Sequence, residues 1–294
     1  MAPSVRLSPS GISAFTQCPR KFYFRHIERL PEPASVFQVR GKIIHKVFEL
    51  FFQTIDISKI DQKKHWHGIW DDFRAVCFAL LDEEWSKIGK PGAGYDDIFE
   101  SAEQKKGLFE ETREFLDFFS AKMAYSFYNK LHELEKDEWF DANLKKHFYP
   151  KGREFKIELV EENIIGFIDK TLNLYGDGVA IVDYKTSKSS LPHFISEADL
   201  KQCKVYAWLW NKKFNEIPRF VSIFYVRDGE SVYYPISEKD LKEVDDSIEE
   251  IRSKGREISN FRKKPSRLCE YCAFFPKCFE NKEEFEAVLQ KLKN

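Results

Sequence analysis

An acidic residue and a lysine two positions apart are the first residues whose types suggest chemistry. The segment GVAIVDYKT ends with Asp183 and Lys185 after a run of apolar residues. Alternate residues of a strand share one face, so this pair is predicted on the same side as Val179 and Ile181. The pattern indicates either a site at the rim of a sheet or a surface ion pair, which would be worth only about 0–1 kcal/mol.

A third charged residue precedes this pair along the chain. The segment GFIDK carries Asp169, and the turn-forming residues YGDG separate it from Asp183. Two strands joined by such a turn can bring the carboxylates together, where they would repel by about 4 kcal/mol at ~4 Å and an effective dielectric of ~20. A divalent cation relieves this repulsion, and oxygen ligands suit Mg²⁺ or Mn²⁺. Taken alone, Asp169 is equally well explained as a surface residue near a turn.

Two predicted helices add three more polar residues to the pattern. The segment EADLKQCKVYAWLWNKKF carries Gln202 and Tyr206, which share one helix face because they are four residues apart. The segment GKIIHKVFELFF carries His45. Each of these residues alone is typical of an ordinary structural position. In this order, the histidine segment, G-x-x-D, D-x-K and Q-x-x-x-Y together resemble the PD-(D/E)XK nuclease superfamily, and within it the RecB-like branch.

This resemblance implies a fold, a reaction and a site. The fold is α/β: a restriction-endonuclease-like mixed central sheet flanked by helices, with a helical insertion. The implied metal ligands for Mg²⁺ or Mn²⁺ are His45, Asp169, Asp183 and the carbonyl of Tyr184. The implied catalytic residues are Lys185, Asp183, Asp169, Gln202 and Tyr206. Lys185 would orient or activate the attacking water. Gln202 and Tyr206 would position DNA or the site strand. Glu154, on the first predicted strand, is a weaker candidate for the same site.

Four of the six cysteines form a second pattern. Cys269, Cys272 and Cys278 have C-x₂-C-x₅-C spacing, and Cys18 lies far upstream in TQCPRKFYF. Four thiolates suit zinc or an iron–sulfur cluster, and the spacing alone does not choose between them. RecB-like nucleases of the AddB type and the CRISPR-associated Cas-four type have one cysteine before the nuclease core and three after it.

The resemblance therefore implies a [4Fe–4S] cluster bound by Cys18, Cys269, Cys272 and Cys278. We interpret this cluster as structural, because it would clamp the first helix against the C-terminal loop. Cys77 and Cys203 match neither pattern and are expected to be buried thiols.

Basic residues concentrate in the two segments that carry these cysteines. The C-terminal segment has seven of them: Arg252, Lys254, Arg256, Arg262, Lys263, Lys264 and Arg267. The first predicted helix, from Ser8 to about Leu30, adds others beside three aromatic residues: Arg20, Lys21, Arg25 and Arg29, with Phe22, Tyr23 and Phe24. If the segments meet, phosphates would bind the basic groups and exposed rings would stack on bases. The alternative is a solvated charged surface over core aromatics.

Composition limits the class of protein. The chain has 294 residues, a formal net charge of −1 and 43% hydrophobic residues, which excludes a disordered chain. No apolar run approaches the ~20 residues of a membrane span and no secretory signal is recognisable, so we expect a cytoplasmic protein. We predict one nuclease domain over 1–294. Its parts are an N-terminal helix (1–30), a helical insertion (55–150), a catalytic sheet core (151–237) and a cluster region (260–294).

The sequence thus predicts a metal-dependent DNA exonuclease that acts on single-stranded ends in repair or recombination. Three alternatives stay open: a CRISPR-associated nuclease that processes spacer precursors, a catalytically inactive iron–sulfur DNA-binding protein, and a zinc-ribbon structural protein. No Walker A motif occurs in the sequence, so a helicase motor or a CRISPR integrase would be a separate partner. The oligomeric state is left open.

Overall fold

The computed structural model describes residues 5–187 and 195–291. Its centre is a five-stranded sheet with the strands in chain order. The strands are β1 (Gly152–Leu159), β2 (Ile164–Asn173), β3 (Val179–Lys185), β4 (Phe220–Tyr225) and β5 (Glu230–Pro235). Only the β3–β4 pair is parallel among these strands, and the other neighbours are antiparallel. This mixed sheet, with helices on both faces, confirms the predicted α/β, restriction-endonuclease-like fold class.

Helices cover both faces of the sheet. Those before the sheet are α1 (Pro9–Gln17), α2 (Pro19–Phe22), α3 (Val36–Thr54), α4 (Trp66–Trp85), α5 (Ala102–Glu133) and α6 (Phe140–Phe148). Those after its third strand are α7 (Glu197–Phe214), α8 (Glu238–Ser253), α9 (Phe275–Cys278) and α10 (Lys282–Lys291). Along the chain, helix α7 lies between the parallel strands β3 and β4, and parallel neighbours need a crossover connection of this kind. No helix in the described ranges is both long and apolar enough to span a bilayer.

Strand β3 separates two hydrophobic cores. Val182 and Tyr184 pack into a core with residues of α3 to α6. Val179 and Ile181 pack into the other core, with residues of α1, α7 and α8. The predicted division of this strand into two faces is therefore confirmed. The same alternation of side chains places Asp183 on the α7 side of the sheet, because Asp183 follows Ile181 by two residues.

The first predicted helix is wrong as a continuous element. Helix α1 ends at Gln17, and Cys18 adopts an extended conformation with φ −158° and ψ 107°. Pro19 begins a new helical turn, because its ring prevents it from continuing the preceding helix but suits a first helical position. A π-helical turn, Tyr23–Ile27, follows. The break leaves Cys18 outside both helices.

The two ends of the chain pack together, as expected from the cysteine pattern. Phe261 is fully buried, and its ring lies 6.2 Å from that of Phe22 and 5.2 Å from that of Tyr23. Phe22 and Phe24 are buried, with 0% and 3% exposure, so for these two rings the structure favours the alternative of core aromatics over base stacking. Phe24 packs on Phe274 instead, with ring centroids 5.5 Å apart. The predicted segments 1–30 and 260–294 also include residues 1–4 and 292–294, which lie outside the described residues.

Candidate active site

Three carboxylates lie at one level across three neighbouring strands. The pairs Arg153↔Lys170 and Phe155↔Ile168 flank Glu154 and set it opposite Asp169. The β2–β3 register, continued one residue beyond Lys170↔Val182, sets Asp169 opposite Asp183. Hairpin pairing thus brings together the two aspartates predicted from sequence, with Glu154 beside them.

Glu154 has an unusual backbone conformation. Its φ is 43°, in the left-handed region that residues other than glycine adopt rarely and at a cost of order 1–3 kcal/mol. Its carboxylate Oε1 lies 3.7 Å from Nδ1 of His45. The strained residue is therefore one that faces the acidic site.

His45 joins helix α3 to the acidic residues. Its Nδ1 lies 3.2 Å from Oδ1 of Asp169, and its Nε2 lies 3.1 Å from the carbonyl oxygen of Tyr184. One ligand atom from each of His45, Glu154 and Asp169 lies within 4.8 Å of the others. This group differs from the predicted metal ligands in that Glu154 takes the place of Asp183.

The electrostatics of the group fit a hard divalent cation. Burial alone would lower the pKa of His45, but Asp169 and Glu154 raise it to about 10. Burial raises the pKa of Asp183, and Asp169 adds to the rise although Lys185 opposes it. Oδ2 of Asp183 is buried, and no donor in the described ranges is aligned to hydrogen-bond to it. Excess negative charge and a set of O and N donors together suit Mg²⁺ or Mn²⁺.

Lys185 is held by residues of strand β3 and helix α7. Its Nζ lies 2.9 Å from Oδ2 of Asp183 and donates a hydrogen bond to Oε1 of Gln202 at 2.8 Å. Gln202 Nε2 in turn donates to the hydroxyl oxygen of Tyr206 at 3.0 Å, which confirms that these two residues share a helix face. Burial would lower the pKa of Lys185, but Asp183 and then Asp199 raise it above its usual value, so the side chain is an ammonium.

A cleft of about 1070 Å³ is lined by all the site residues that were predicted from the sequence. They are His45, Glu154, Asp169, Asp183, Tyr184, Lys185, Gln202 and Tyr206. Arg25, from the predicted basic set, also lines it.

Sequence reasoning missed several residues of the same cleft. They include Phe37, Lys42, Lys46, Glu49 and Tyr95. Lys42, Lys46 and Glu49 are spaced four and three residues apart, so they lie on one side of α3 together with His45. This spacing is the sequence signal that could have found them. Asp199 was also missed, although its Oδ1 lies 3.6 Å from Nζ of Lys185.

The four predicted cluster cysteines are partly buried free thiols in one region. Burial raises the pKa of Cys278 to about 11, and nearby Cys18 adds to the rise. Burial also raises the pKa of Cys272, with further contributions from Cys269 and Cys18. In the described part of the chain, no three of these sulfurs lie within 4.8 Å of one another. The geometry therefore does not show an iron–sulfur cluster.

The two cysteines that match no motif have a different environment. Cys77 and Cys203 are both buried, as predicted. Burial raises the pKa of each thiol well above its usual value.

Acidic neighbours pair with many residues of the predicted basic surface. Arg252 lies 3.1 Å from Glu162, and Lys254 lies 3.1 Å from Glu250. Arg267 lies 2.8 Å from Glu270. Near the cleft, Glu32 lies 3.3 Å from Arg25 and 3.9 Å from Lys21. Only part of the predicted positive charge is therefore available to phosphates without the loss of an ion pair.

The family of the chain follows from its sequence as a whole. The sequence model of the PD-(D/E)XK nuclease superfamily matches residues 6–279. This range includes the acidic strands, His45, helix α7 and all four motif cysteines. The chain belongs to this superfamily of nucleases, which use divalent metal ions. A comparison with curated proteins finds no match.

Proposed function

We propose that this protein is a Mg²⁺- or Mn²⁺-dependent DNA exonuclease that acts on single-stranded ends. The observation that carries the proposal is the cleft in which the group of His45, Glu154 and Asp169 faces the ammonium of Lys185. These residue types are those of phosphodiester hydrolysis assisted by a metal ion.

Each side chain has a distinct role in the proposed reaction. His45, Glu154, Asp169 and the Tyr184 carbonyl would hold the cation, with Oδ2 of Asp183, which also contacts Lys185, as a further ligand. A bound Mg²⁺ or Mn²⁺ supplies Lewis acidity for the phosphate and lowers the pKa of an attacking water. Lys185 orients that water and neutralises the negative charge that develops on the phosphate.

Gln202 and Tyr206 position the lysine in this scheme. The hydrogen bond from Lys185 to Gln202 fixes the ammonium, and the hydrogen bond from Gln202 to Tyr206 fixes the amide. This support reduces the number of conformations that the long lysine side chain samples, and preorganised groups catalyse more effectively than mobile ones.

The walls of the cleft support a single-stranded substrate. Lys42 of α3 supplies positive charge for phosphates, and Lys46 and Arg25 add to it when they exchange their ion pairs with Glu49 and Glu32 for phosphate. Phe37 is 58% exposed at the same cleft and offers a ring on which an unpaired base can stack. Bases inside a duplex would not reach such a ring. A role in repair or recombination, beside a partner helicase, fits this substrate, and spacer processing beside a CRISPR integrase is the competing role.

A [4Fe–4S] cluster on Cys18, Cys269, Cys272 and Cys278 is the second part of the proposal. The support is the convergence of one cysteine from the N-terminal segment and three from the C-terminal segment. Protein purified without oxygen should be brown and should contain iron and sulfide. The Cys272→Ala variant should lose this iron, whereas Cys77→Ala, which removes a buried thiol elsewhere, should keep it. Zinc in place of iron would contradict this part.

The nuclease proposal is tested with single-stranded DNA labelled at one end. Anaerobically purified protein should shorten the strand progressively from an end with Mn²⁺ and leave it intact with EDTA. Lys185→Ala should lower the rate about 100-fold or more, because it removes a charge aimed at the developing oxyanion. Lys242→Ala removes the same charge from an exposed position on α8 and should have no effect. Cleavage only at internal positions would contradict exonuclease action, and no cleavage by cluster-loaded protein would favour a DNA-binding role.

A further inference from the structure

A second cavity, of about 330 Å³, lies on the opposite face of the sheet from the carboxylates. Lys170 and Val182 are paired across β2 and β3, and both line this cavity. Because successive side chains alternate between faces, they leave the sheet opposite to Asp169 and Asp183. Helices α5 and α6 form the other wall of the cavity.

The lining of this cavity combines apolar walls with positive charge. Aromatic rings supply much of the surface: Phe119, Phe127, Phe148, Tyr184, Phe224 and Tyr233. The titratable bases are Lys122, Lys130, Lys170 and His147. Among the described residues, no aspartate or glutamate lines the cavity. The charge of the lining is therefore complementary to an anion.

Lys170 is the basic group with the least compensation. In the described ranges its side chain has no hydrogen bond or ion pair, and its Nζ lies over the ring of Phe52 at 4.9 Å. Lys170 is partly buried, and a partly buried cation without a counter-charge is costly, so an anion beside it would be stabilising.

The neighbours of Lys170 leave room for such an anion. Among the described residues, Lys122 donates hydrogen bonds to two uncharged acceptors, the carbonyl of Gly229 and the hydroxyl of Ser231. Lys130, in contrast, is already paired with Glu133. The hydroxyl of Tyr184 is buried and has no hydrogen-bond partner in the part of the chain that the structure describes.

We propose that this cavity binds a small amphiphilic organic anion, with its carboxylate or phosphate at Lys170 and Lys122 and its apolar body among the phenylalanine rings. The volume is near the lower end of the ~300–1,000 Å³ that small-molecule sites occupy. A cavity of this size suits one fused ring system or a short chain and excludes a polymer. The proposal is independent of the nuclease reaction, because none of its basic residues belongs to the metal site.

The test uses 2-naphthoate and its neutral isostere 2-naphthamide as probes, with isothermal titration calorimetry on the full chain. The carboxylate should bind at one site and at least about tenfold more tightly than the amide, the size of effect expected for one charge-assisted contact. In Lys170→Met, which keeps the length and apolar character of the side chain, the two probes should bind within about threefold of each other. Lys242→Met, at an exposed position, should behave as the wild type.

A second variant guards against misfolding of the first. Ser126 is an exposed residue at the cavity wall, so Ser126→Trp should block entry without repacking a core. Loss of naphthoate binding in Ser126→Trp, together with loss of the preference for naphthoate over naphthamide in a folded Lys170→Met variant, would support the proposal. Equal binding of the two probes, binding that both variants retain, or no saturable binding to the wild type would overturn it. Binding of inorganic phosphate alone would also overturn it, because the apolar walls would then have no role.

Discussion

His45 Nδ1 and Asp169 Oδ1 lie 3.2 Å apart, and this contact joins a helix of the α3–α6 layer to the central sheet. The helix supplies an imidazole to a group whose carboxylates come from β1 and β2. The same helix carries Lys42 and Lys46 into the cleft. Helix α3 therefore forms one wall of the cleft as well as part of the hydrophobic core.

Asp169→Asn should remove most of the metal affinity while preserving the fold. Asp169 Oδ2 accepts a hydrogen bond from the Tyr184 N–H at 2.7 Å, and an asparagine oxygen can accept the same bond. The lost charge weakens cation binding, and we expect at least a tenfold loss of Mn²⁺ affinity together with a larger loss of cleavage. Titration of Mn²⁺ by electron paramagnetic resonance measures the affinity.

Asp177→Asn is the matched control for this change. Asp177 lies in the exposed turn between β2 and β3, so the variant loses the same charge from the same hairpin. Equal Mn²⁺ affinity in the two variants would show that Asp169 is not a ligand.

Gln202→Met should act on the rate through Lys185. The variant keeps the side-chain length but removes the hydrogen bonds to Lys185 Nζ and Tyr206. We expect kcat to fall about 10–100-fold with little change in DNA affinity, because the ammonium is less well positioned.

A double-mutant cycle separates positioning from a general loss of structure. In a Lys185→Ala background, Gln202→Met should cause almost no further loss, since the group that it positions is already absent. Additive losses would show that Gln202 acts independently of the lysine.

The sequence predicted the parts of the site that depend on local periodicity. The two-residue period of β3 assigned Asp183 and Ile181 to one face, and the helical spacing of Gln202 and Tyr206 assigned them to another common face. Both assignments depend on geometry within one element. The pairing of Asp169 with Asp183 was also accessible, because a short turn limits how two strands can meet.

Other features depend on contacts between residues far apart in sequence. Phe22 is buried because Phe261, near the other end of the chain, packs against it. Asp199 approaches Lys185 only because α7 crosses the sheet beside β3. Glu154 lies beside Asp169 in a left-handed conformation that its residue type does not favour. Tertiary packing determines these features, and no local sequence pattern predicts them.

Gly166→Ala should destabilise the fold. A Cβ at this position would lie 2.5 Å from Cδ1 of Leu209 and 3.0 Å from Cγ of Pro9. Leu209 is fully buried, so it has little room to move, and we expect a loss of about 1–3 kcal/mol in the free energy of unfolding. Urea unfolding followed by circular dichroism measures this change.

Gly107→Ala provides the opposite control. Gly107 is exposed on helix α5, and its added Cβ would contact nothing within 4 Å. Alanine should stabilise the helix there by about 0.5–1 kcal/mol. If Gly166→Ala left the free energy of unfolding unchanged, β2 and α7 would be able to move apart without cost.

His26 should make the fold sensitive to mild acid. Its ring packs against Phe22 with centroids 4.7 Å apart, and its Nε2 is buried without a partner in the described ranges. Burial and, to a smaller extent, the charge of Arg25 lower the pKa of His26 from 6.5 to about 4, although Glu32 partly opposes the shift. The unfolded chain therefore binds a proton at a higher pH than the folded protein does.

This difference fixes the sign of the pH dependence. The stability that His26 contributes is present above its unfolded pKa of 6.5 and is lost as the pH falls towards the folded value of about 4. Between about pH 7 and about pH 5, we expect this residue to cost about 1 kcal/mol of unfolding free energy, because solvent around the partly exposed ring screens part of the full effect. Urea unfolding in EDTA at both pH values should show this loss in the wild type and in His67→Leu, which alters an exposed histidine. In His26→Leu the loss should be smaller by that amount, and equal losses in all three proteins would show that His26 takes up its proton without opening the N-terminal packing.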